Sequence, residues 1–236
     1  MNNVKKSIGW ADWTINPVKG LCPVGCSYCY ARRAYGRNCN ATFKDKSIRY
    51  TPEVFIDLYK AKPGDRIFVG STIDLFHPLA SMWTNEIIDY CARARDFTFI
   101  FLTKCPENLP KEFPDNCWVG VSVDGTPENS PMSLAGLRDC NAKVKFISFE
   151  PLLGHVNVPF KLIGVNWVII GRQTPVSQKT SPKIEWVKEI VDAADSAKMP
   201  VFLKSNLESL ITHMTPPEYN KMCYGARLRQ EIPEAK

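Results

Sequence analysis

Apolar residues along this 236-residue chain recur in short runs rather than in one long stretch. Arg66-Ile-Phe-Val-Gly70, Phe97-Thr-Phe-Ile-Phe-Leu-Thr103, Cys117-Trp-Val-Gly-Val-Ser-Val123, Val144-Lys-Phe-Ile-Ser-Phe149, Val165-Asn-Trp-Val-Ile-Ile170 and Val201-Phe-Leu203 are rich in β-branched and aromatic side chains. Runs of this length predict strands buried on both faces. An earlier candidate covers about Ile8 to Ile15. Helical spacing fills the gaps. After Thr84, residues Ile87, Ile88, Cys91 and Ala94 fall on one face, and after Ser181 so do Ile184, Val187, Ile190, Val191 and Ala194. Thr51-Pro52 and Ser181-Pro182 each set a hydroxyl before proline, which predicts two helix starts with side-chain caps.

Strands alternating with helices predict an α/β protein with a mainly parallel sheet. Six or seven such units in one chain fit an open or partial (β/α)6-7 TIM-like barrel better than a short doubly wound sheet. In a parallel barrel the active site gathers at the C-terminal strand ends. Those ends read Ser71-Thr72-Ile73-Asp74, Thr103-Lys104-Cys105, Ser122-Val123-Asp124, Glu150-Pro151, Gly171-Arg172-Gln173 and Lys204-Ser205-Asn206. All are polar or charged, as loops are anyway, but cations and carboxylates aimed at one mouth exceed that expectation.

Apolar residues make up 44% of the chain, enough for a sizeable core and too many for a disordered one. No run approaches the ~18 apolar residues of a membrane span, and no apolar stretch follows Lys5 and Lys6 as in a signal peptide. The expectation is a soluble cytoplasmic protein with no membrane partner. The net charge of +6 is concentrated. Lys19, Arg32, Arg33, Arg37, Lys44, Lys46 and Arg49 face only Asp45 within that window. Such a field attracts phosphates or nucleic acid, or compensates an anionic centre nearby. Trp10, Trp13, Tyr30 and Tyr35 beside these arginines offer base stacking or, more simply, core packing.

Nine cysteines make an odd count, and six of them are scattered, unlike a secreted disulfide framework. The other three, Cys22, Cys26 and Cys29, stand in a C-x3-C-x2-C spacing inside Gly20-Leu-Cys-Pro-Val-Gly-Cys-Ser-Tyr-Cys-Tyr-Ala-Arg-Arg33. A structural zinc site wants four ligands, commonly in two pairs, and no histidine lies near; Cys39 would have to serve as the fourth. A four-iron cluster is normally held by four thiolates, so three leave one iron open. The alternative reading is a zinc- or cluster-stabilised nucleic-acid-binding module without catalysis.

C-x3-C-x2-C with Tyr28 before the last cysteine resembles the signature of the radical S-adenosylmethionine superfamily. Cys26-Ser-Tyr-Cys-Tyr-Ala-Arg32 and Val69-Gly-Ser-Thr-Ile-Asp-Leu-Phe-His-Pro78 are similar to the branch of spore photoproduct lyase. The order of motifs over nearly the whole chain resembles a phage and prophage family of three-cysteine proteins, from Trp13-Thr-Ile-Asn-Pro-Val-Lys-Gly-Leu-Cys22 through Phe149-Glu-Pro-Leu-Leu-Gly154 to Pro200-Val-Phe-Leu-Lys204. Cys105 and Arg172-Gln173 depart from that family's usual residues.

The resemblance implies one radical S-adenosylmethionine domain over 1-236, with 205-236 as a C-terminal extension. It implies a 4Fe-4S cluster on Cys22, Cys26 and Cys29 whose open iron binds S-adenosyl-L-methionine. Reduction then releases a 5′-deoxyadenosyl radical that abstracts hydrogen from a substrate, here leaning to nucleic acid or a nucleotide. Electrons would come from a flavodoxin or ferredoxin, and the chain would act as a monomer. Tyr28 would pack near the adenine. Ser71, Thr72 and Asp74 would hold the methionine ammonium, and Ser122 the ribose or carboxylate. Glu150 would bind ribose hydroxyls or substrate, or pair with a basic neighbour. Lys104, Arg172 and Lys204 would bind an anionic substrate or the cofactor carboxylate. Cys105 would donate hydrogen to a product radical, against a reading as a buried bystander.

Overall fold

The computed structural model describes residues 1–35, 45–127, 134–157 and 162–234. Cys39, Arg37 and Lys44 lie outside the described residues. The chain forms strands β1 (Asn2–Asn3), β2 (Trp13–Ile15), β3 (Val18–Lys19), β4 (Arg49–Tyr50), β5 (Arg66–Val69), β6 (Thr98–Thr103), β7 (Cys117–Ser122), β8 (Lys145–Phe149), β9 (Trp167–Ile170) and β10 (Val201–Leu203), of which β2 and β5 to β10 fall in the predicted runs and the short β1, β3 and β4 do not. Eight of them make one sheet in the order β1-β2-β5-β6-β7-β8-β9-β10. From β2 to β10 every pairing is parallel, and only β1 runs antiparallel, against β2. The protein is therefore α/β with a mostly parallel sheet whose strands lie in chain order. The sheet is open, because β1 occupies one edge and β10 stands at the other.

Period-2 alternation sorts the strand residues onto two faces. Ile67, Val69, Phe99, Phe101, Val119, Val121, Ile147, Phe149, Val168, Ile170, Val201 and Leu203 join one cluster. Helices α2 (Thr84–Arg93), α3 (Ala135–Asp139) and α4 (Ile184–Ser196) add Ile87, Ile88, Cys91, Leu137, Val187, Ile190, Val191 and Ala194 to the same cluster. The helical spacing read from sequence thus describes the buried stripe of α2 and α4. Two expected caps are absent. Thr51 precedes a 3-10 helix, Pro52–Lys60, and turns its hydroxyl to the Pro17 carbonyl. Ser181 lies two residues before the α4 cap position, Lys183, and bonds Arg172 and the Ser177 carbonyl instead.

The other face carries Phe68, Ile100, Trp118, Phe146, Trp167, Ile169 and Phe202, closed by Trp10 and Ala11 from the N-terminal segment. Trp167 packs edge-on against Trp118 and Phe202 and tilted against Phe146. Gly120 makes this packing possible, since a Cβ there would come within 2.3 Å of the Phe146 ring. Trp10 is 2% exposed, which removes it from any base-stacking role.

The C-terminal segment covers the edge of β10. Leu203 N–H donates to the Arg229 carbonyl at 2.7 Å and Glu231 N–H to the Val201 carbonyl at 3.0 Å. Trp167 Nε1 donates to the Glu231 carbonyl at 2.9 Å. An uncovered edge strand invites pairing with another chain, and this segment occupies it. Among the described residues no helix is long and apolar enough to cross a membrane.

Candidate functional site

Cys22, Cys26 and Cys29 lie in the segment between β3 and helix α1 (Tyr30–Tyr35), and all three are half-buried. Tyr35 fastens the two ends of this segment. Its hydroxyl donates to the Gly20 carbonyl at 2.5 Å and accepts from Gly20 N–H at 3.2 Å. Gly20 has φ 126°, and a Cβ there would strike the Ser47 carbonyl at 2.4 Å, so only glycine fits. Arg32 donates to the Cys22 carbonyl at 2.8 Å. Arg33 donates to the Tyr28 carbonyl at 2.9 Å and, across the chain, to the Thr174 carbonyl beyond β9 at 2.7 Å.

The loop is also tied to the C-terminal strand ends. Asp74 N–H points at Cys22 Sγ at 3.5 Å, and Tyr30 donates to the Ser71 carbonyl at 3.0 Å. Tyr28 Oη donates to Asp124 Oδ2 at 2.6 Å. The Asp124 side chain is 0% exposed and also accepts from the amide and hydroxyl of Thr126 at 2.9 and 2.8 Å. Lys104 Nζ stands 3.5 Å from the same Oδ2 and 5.5 Å from the Tyr28 ring centroid. Burial opposes ionisation of Asp124, but the Tyr28 and Thr126 hydrogen bonds and the Lys104 charge outweigh it and hold its carboxyl below the ordinary range. Burial and the bond to Asp124 push the Tyr28 phenol up.

The three thiols share one field. Burial raises Cys22, helped by the charges of Asp74 and Cys29 and opposed by the Asp74 amide. Burial also raises Cys26, with Lys104 pulling the other way and Cys29 adding to the rise. No group of three or more His, Cys, Asp or Glu among the described residues is arranged to hold a single metal ion.

Several expected roles change once partners are seen. Asp74 was expected to take an ammonium. Its carboxylate instead accepts from Thr103 Oγ1 at 2.7 Å, Lys104 N–H at 2.7 Å and Phe76 N–H at 3.1 Å, fixing two strand ends together. Ser71 donates to Asn16 Oδ1 at 3.1 Å, and Thr72 N–H meets the same oxygen at 3.3 Å. Ser122 donates to the Glu150 carbonyl at 3.3 Å. Arg172 was expected to bind an anion. It is 5% exposed, and its two Nη atoms donate to Ser181, Ser209 and the Asn206 carbonyl, while the buried Nε has no partner among the described residues. Lys104 and Lys204 each face a carboxylate already, Asp124 and Glu150. The mouth is therefore charge-balanced rather than a cationic cup. Cys105 is buried, and burial with the neighbouring Asp74 pushes its thiol up to about 12.

The family model described as a protein of unknown function, DUF5131, matches residues 5–230. The chain belongs to the DUF5131 family. The match takes in the cysteine loop, every parallel strand and the start of the edge-covering tail. No curated protein and no solved structure matches the chain.

Asp124, which joins the cysteine loop to the end of β7, is a residue the sequence reading left without a role. The only signal was its position at the end of β7, shared with every other polar strand end. Two shallow grooves of about 420 and 430 Å³ lie elsewhere, lined by His155, Glu189 and Asp192 and by Asp195, Arg229 and Glu231. Neither includes a residue of the cysteine loop or of the strand ends above.

Proposed function

We propose that this DUF5131 protein is a radical S-adenosylmethionine enzyme with one three-cysteine 4Fe-4S cluster. The observation that carries the reading is the C-x3-C-x2-C loop tied across the C-terminal ends of a parallel sheet. Strands in chain order with helices on one face are the arrangement of a (β/α) barrel left open, which supports the partial-barrel expectation.

The donor set fits such a cluster. Three half-buried thiols lie within one short loop, and a backbone amide points at one sulfur. Thiolates on a single zinc, bound at ~2.3 Å, would crowd to roughly 4 Å apart. Those of a four-iron cluster sit on separate irons. When bound and reduced, the cluster supplies the electron that cleaves S-adenosylmethionine and releases a carbon radical.

The chain's own residues have other tasks. Tyr35 and Gly20 close the loop, while Arg32 and Arg33 hold its carbonyls. Two of the seven basic residues of the window, Arg32 and Arg33, therefore serve the loop rather than a bound nucleic acid. Lys104 compensates thiolate charge beside Cys26. Tyr28 and Asp124 pin the loop over the strand ends and keep water from the sulfurs.

Anaerobic reconstitution with iron and sulfide tests the donor set. The expected product is a brown protein with about four irons per chain. Colour should be lost in Cys26→Ala and kept in Cys39→Ala. A colourless protein holding one zinc that needs Cys39 would favour the binding-module alternative.

A further inference from the structure

The charged side chains at the strand ends differ in how fully they are used. Asp74 and Asp124 each accept hydrogen bonds on both oxygens, and Arg172 is committed to the serines and carbonyl around it. Glu150 and Lys204 are unlike them. Among the described residues the Glu150 carboxylate bonds only the Lys204 ammonium, and the ammonium bonds only that carboxylate. A carboxylate accepts about four hydrogen bonds and an ammonium donates three, so most of their capacity is unspent. Their side chains are 21% and 13% exposed, so a ligand can reach them but solvent does not surround them.

The pair has a built seat. Gly171 lies beneath it at the end of β9, where a Cβ would come 2.9 Å from Lys204 Cδ and 3.2 Å from Glu150 Cδ. Two residues before Glu150, within β8, Ser148 is 0% exposed and its hydroxyl has no partner among the described residues. A buried hydroxyl left unpaired calls for an explanation, and a missing ligand is one. The ring of Tyr30, beside Cys29, is 57% exposed while its hydroxyl is held by Ser71.

We propose that Glu150 and Lys204, seated on Gly171, form a substrate subsite for an uncharged cyclic-amide edge of the kind a nucleobase presents. The proposal rests on the reading of this mouth as an active site. An anion gains Lys204 but meets Glu150, and a cation meets the reverse conflict. A ring N–H next to a carbonyl meets neither conflict, because it uses a spare lone pair of Glu150 and a spare N–H of Lys204 while the pair stays together.

Titration calorimetry on the full chain tests this, with uridine, guanosine, uridine 5′-monophosphate and glycine as probes. Uridine or guanosine should bind, the monophosphate no more tightly than uridine, and glycine not at all. Glu150→Gln and Lys204→Met should each weaken nucleoside binding at least about tenfold, as loss of a hydrogen bond to a charged group does. Lys204→Gln, with thermal melting as the fold control, replaces any variant that does not fold. The proposal is overturned if neither nucleoside binds, if glycine binds instead, if the phosphate dominates affinity, or if folded variants bind like the parent. Formation of 5′-deoxyadenosine without nucleoside is read separately. A protein that makes it and binds no nucleoside overturns the subsite alone, and one that binds nucleoside but assembles no cluster overturns the function alone.

Discussion

Tyr28 donates its hydroxyl to Asp124 at 2.6 Å, joining the cysteine loop to the end of β7 across 96 residues of sequence. Asp124 is fully buried, and Lys104 shares its carboxylate. Removing the carboxylate strands a phenol and an ammonium together. Asp124→Ala should therefore lower unfolding free energy by about 3 kcal/mol, the range for breaking a buried charged network. Tyr28→Phe should cost only about 1 kcal/mol, since it removes one hydrogen bond and leaves the ion pair intact. Urea unfolding of the two variants checks the order. Equal losses would mean that Asp124 does not organise the network.

The inner face of the sheet makes a second expectation. A methyl group at Gly120 would lie 2.3 Å from the Phe146 ring, which Trp10 and Trp167 hold from other sides. Gly120→Ala should destabilise by about 2 kcal/mol through overpacking. Combining it with Phe146→Leu should cost less than the sum of the two single changes, because the smaller side chain makes room. Denaturation midpoints of the three variants decide this, and simple additivity would argue against the contact.

The tail gives a third. Residues after Leu228 cover the β10 edge, and Glu231 secures them by accepting from Val201 N–H and from Arg229 and Tyr224. Truncation after Leu228 should expose the edge and yield concentration-dependent association in size-exclusion chromatography. A truncated chain that stays monomeric at high concentration would count against the edge-covering role.

Acid should loosen the same contact. Burial opposes ionisation of Glu231, but its hydrogen bonds from Tyr224, Val201 and Arg229 win, and its carboxyl lies below the ordinary range. A carboxyl depressed in the folded state stabilises above its unfolded value of about 4.3, and that contribution fades as pH falls through the folded value. Amide exchange at Val201 and Leu203, corrected for intrinsic rate, should lose protection below that range. Protection independent of pH there, or an acid-dependent loss that persists in Glu231→Gln, would contradict the linkage.

The strands and the two long helices were legible because a buried parallel sheet imposes local signatures. Cys117 to Val121 is apolar without interruption since β7 is buried on both faces. The helical stripe from Val187 to Ala194 is likewise a local pattern. Partner choice was not legible. Arg172 and Lys204 read as equally available cations, yet one is locked among serines and the other faces a carboxylate 54 residues away. Asp74 and Asp124 read as two polar strand ends, and their tasks separate only when the donors around them are known. The tail carried no periodicity because it is held by backbone bonds to one strand rather than by an apolar face of its own.

The most direct test of the central claim is chromatography for 5′-deoxyadenosine after the reconstituted protein is reduced with S-adenosylmethionine under anaerobic conditions. The account predicts product from the parent chain and none from Cys26→Ala. An intact, reducible cluster that yields no 5′-deoxyadenosine, or product that survives loss of Cys26, would contradict it.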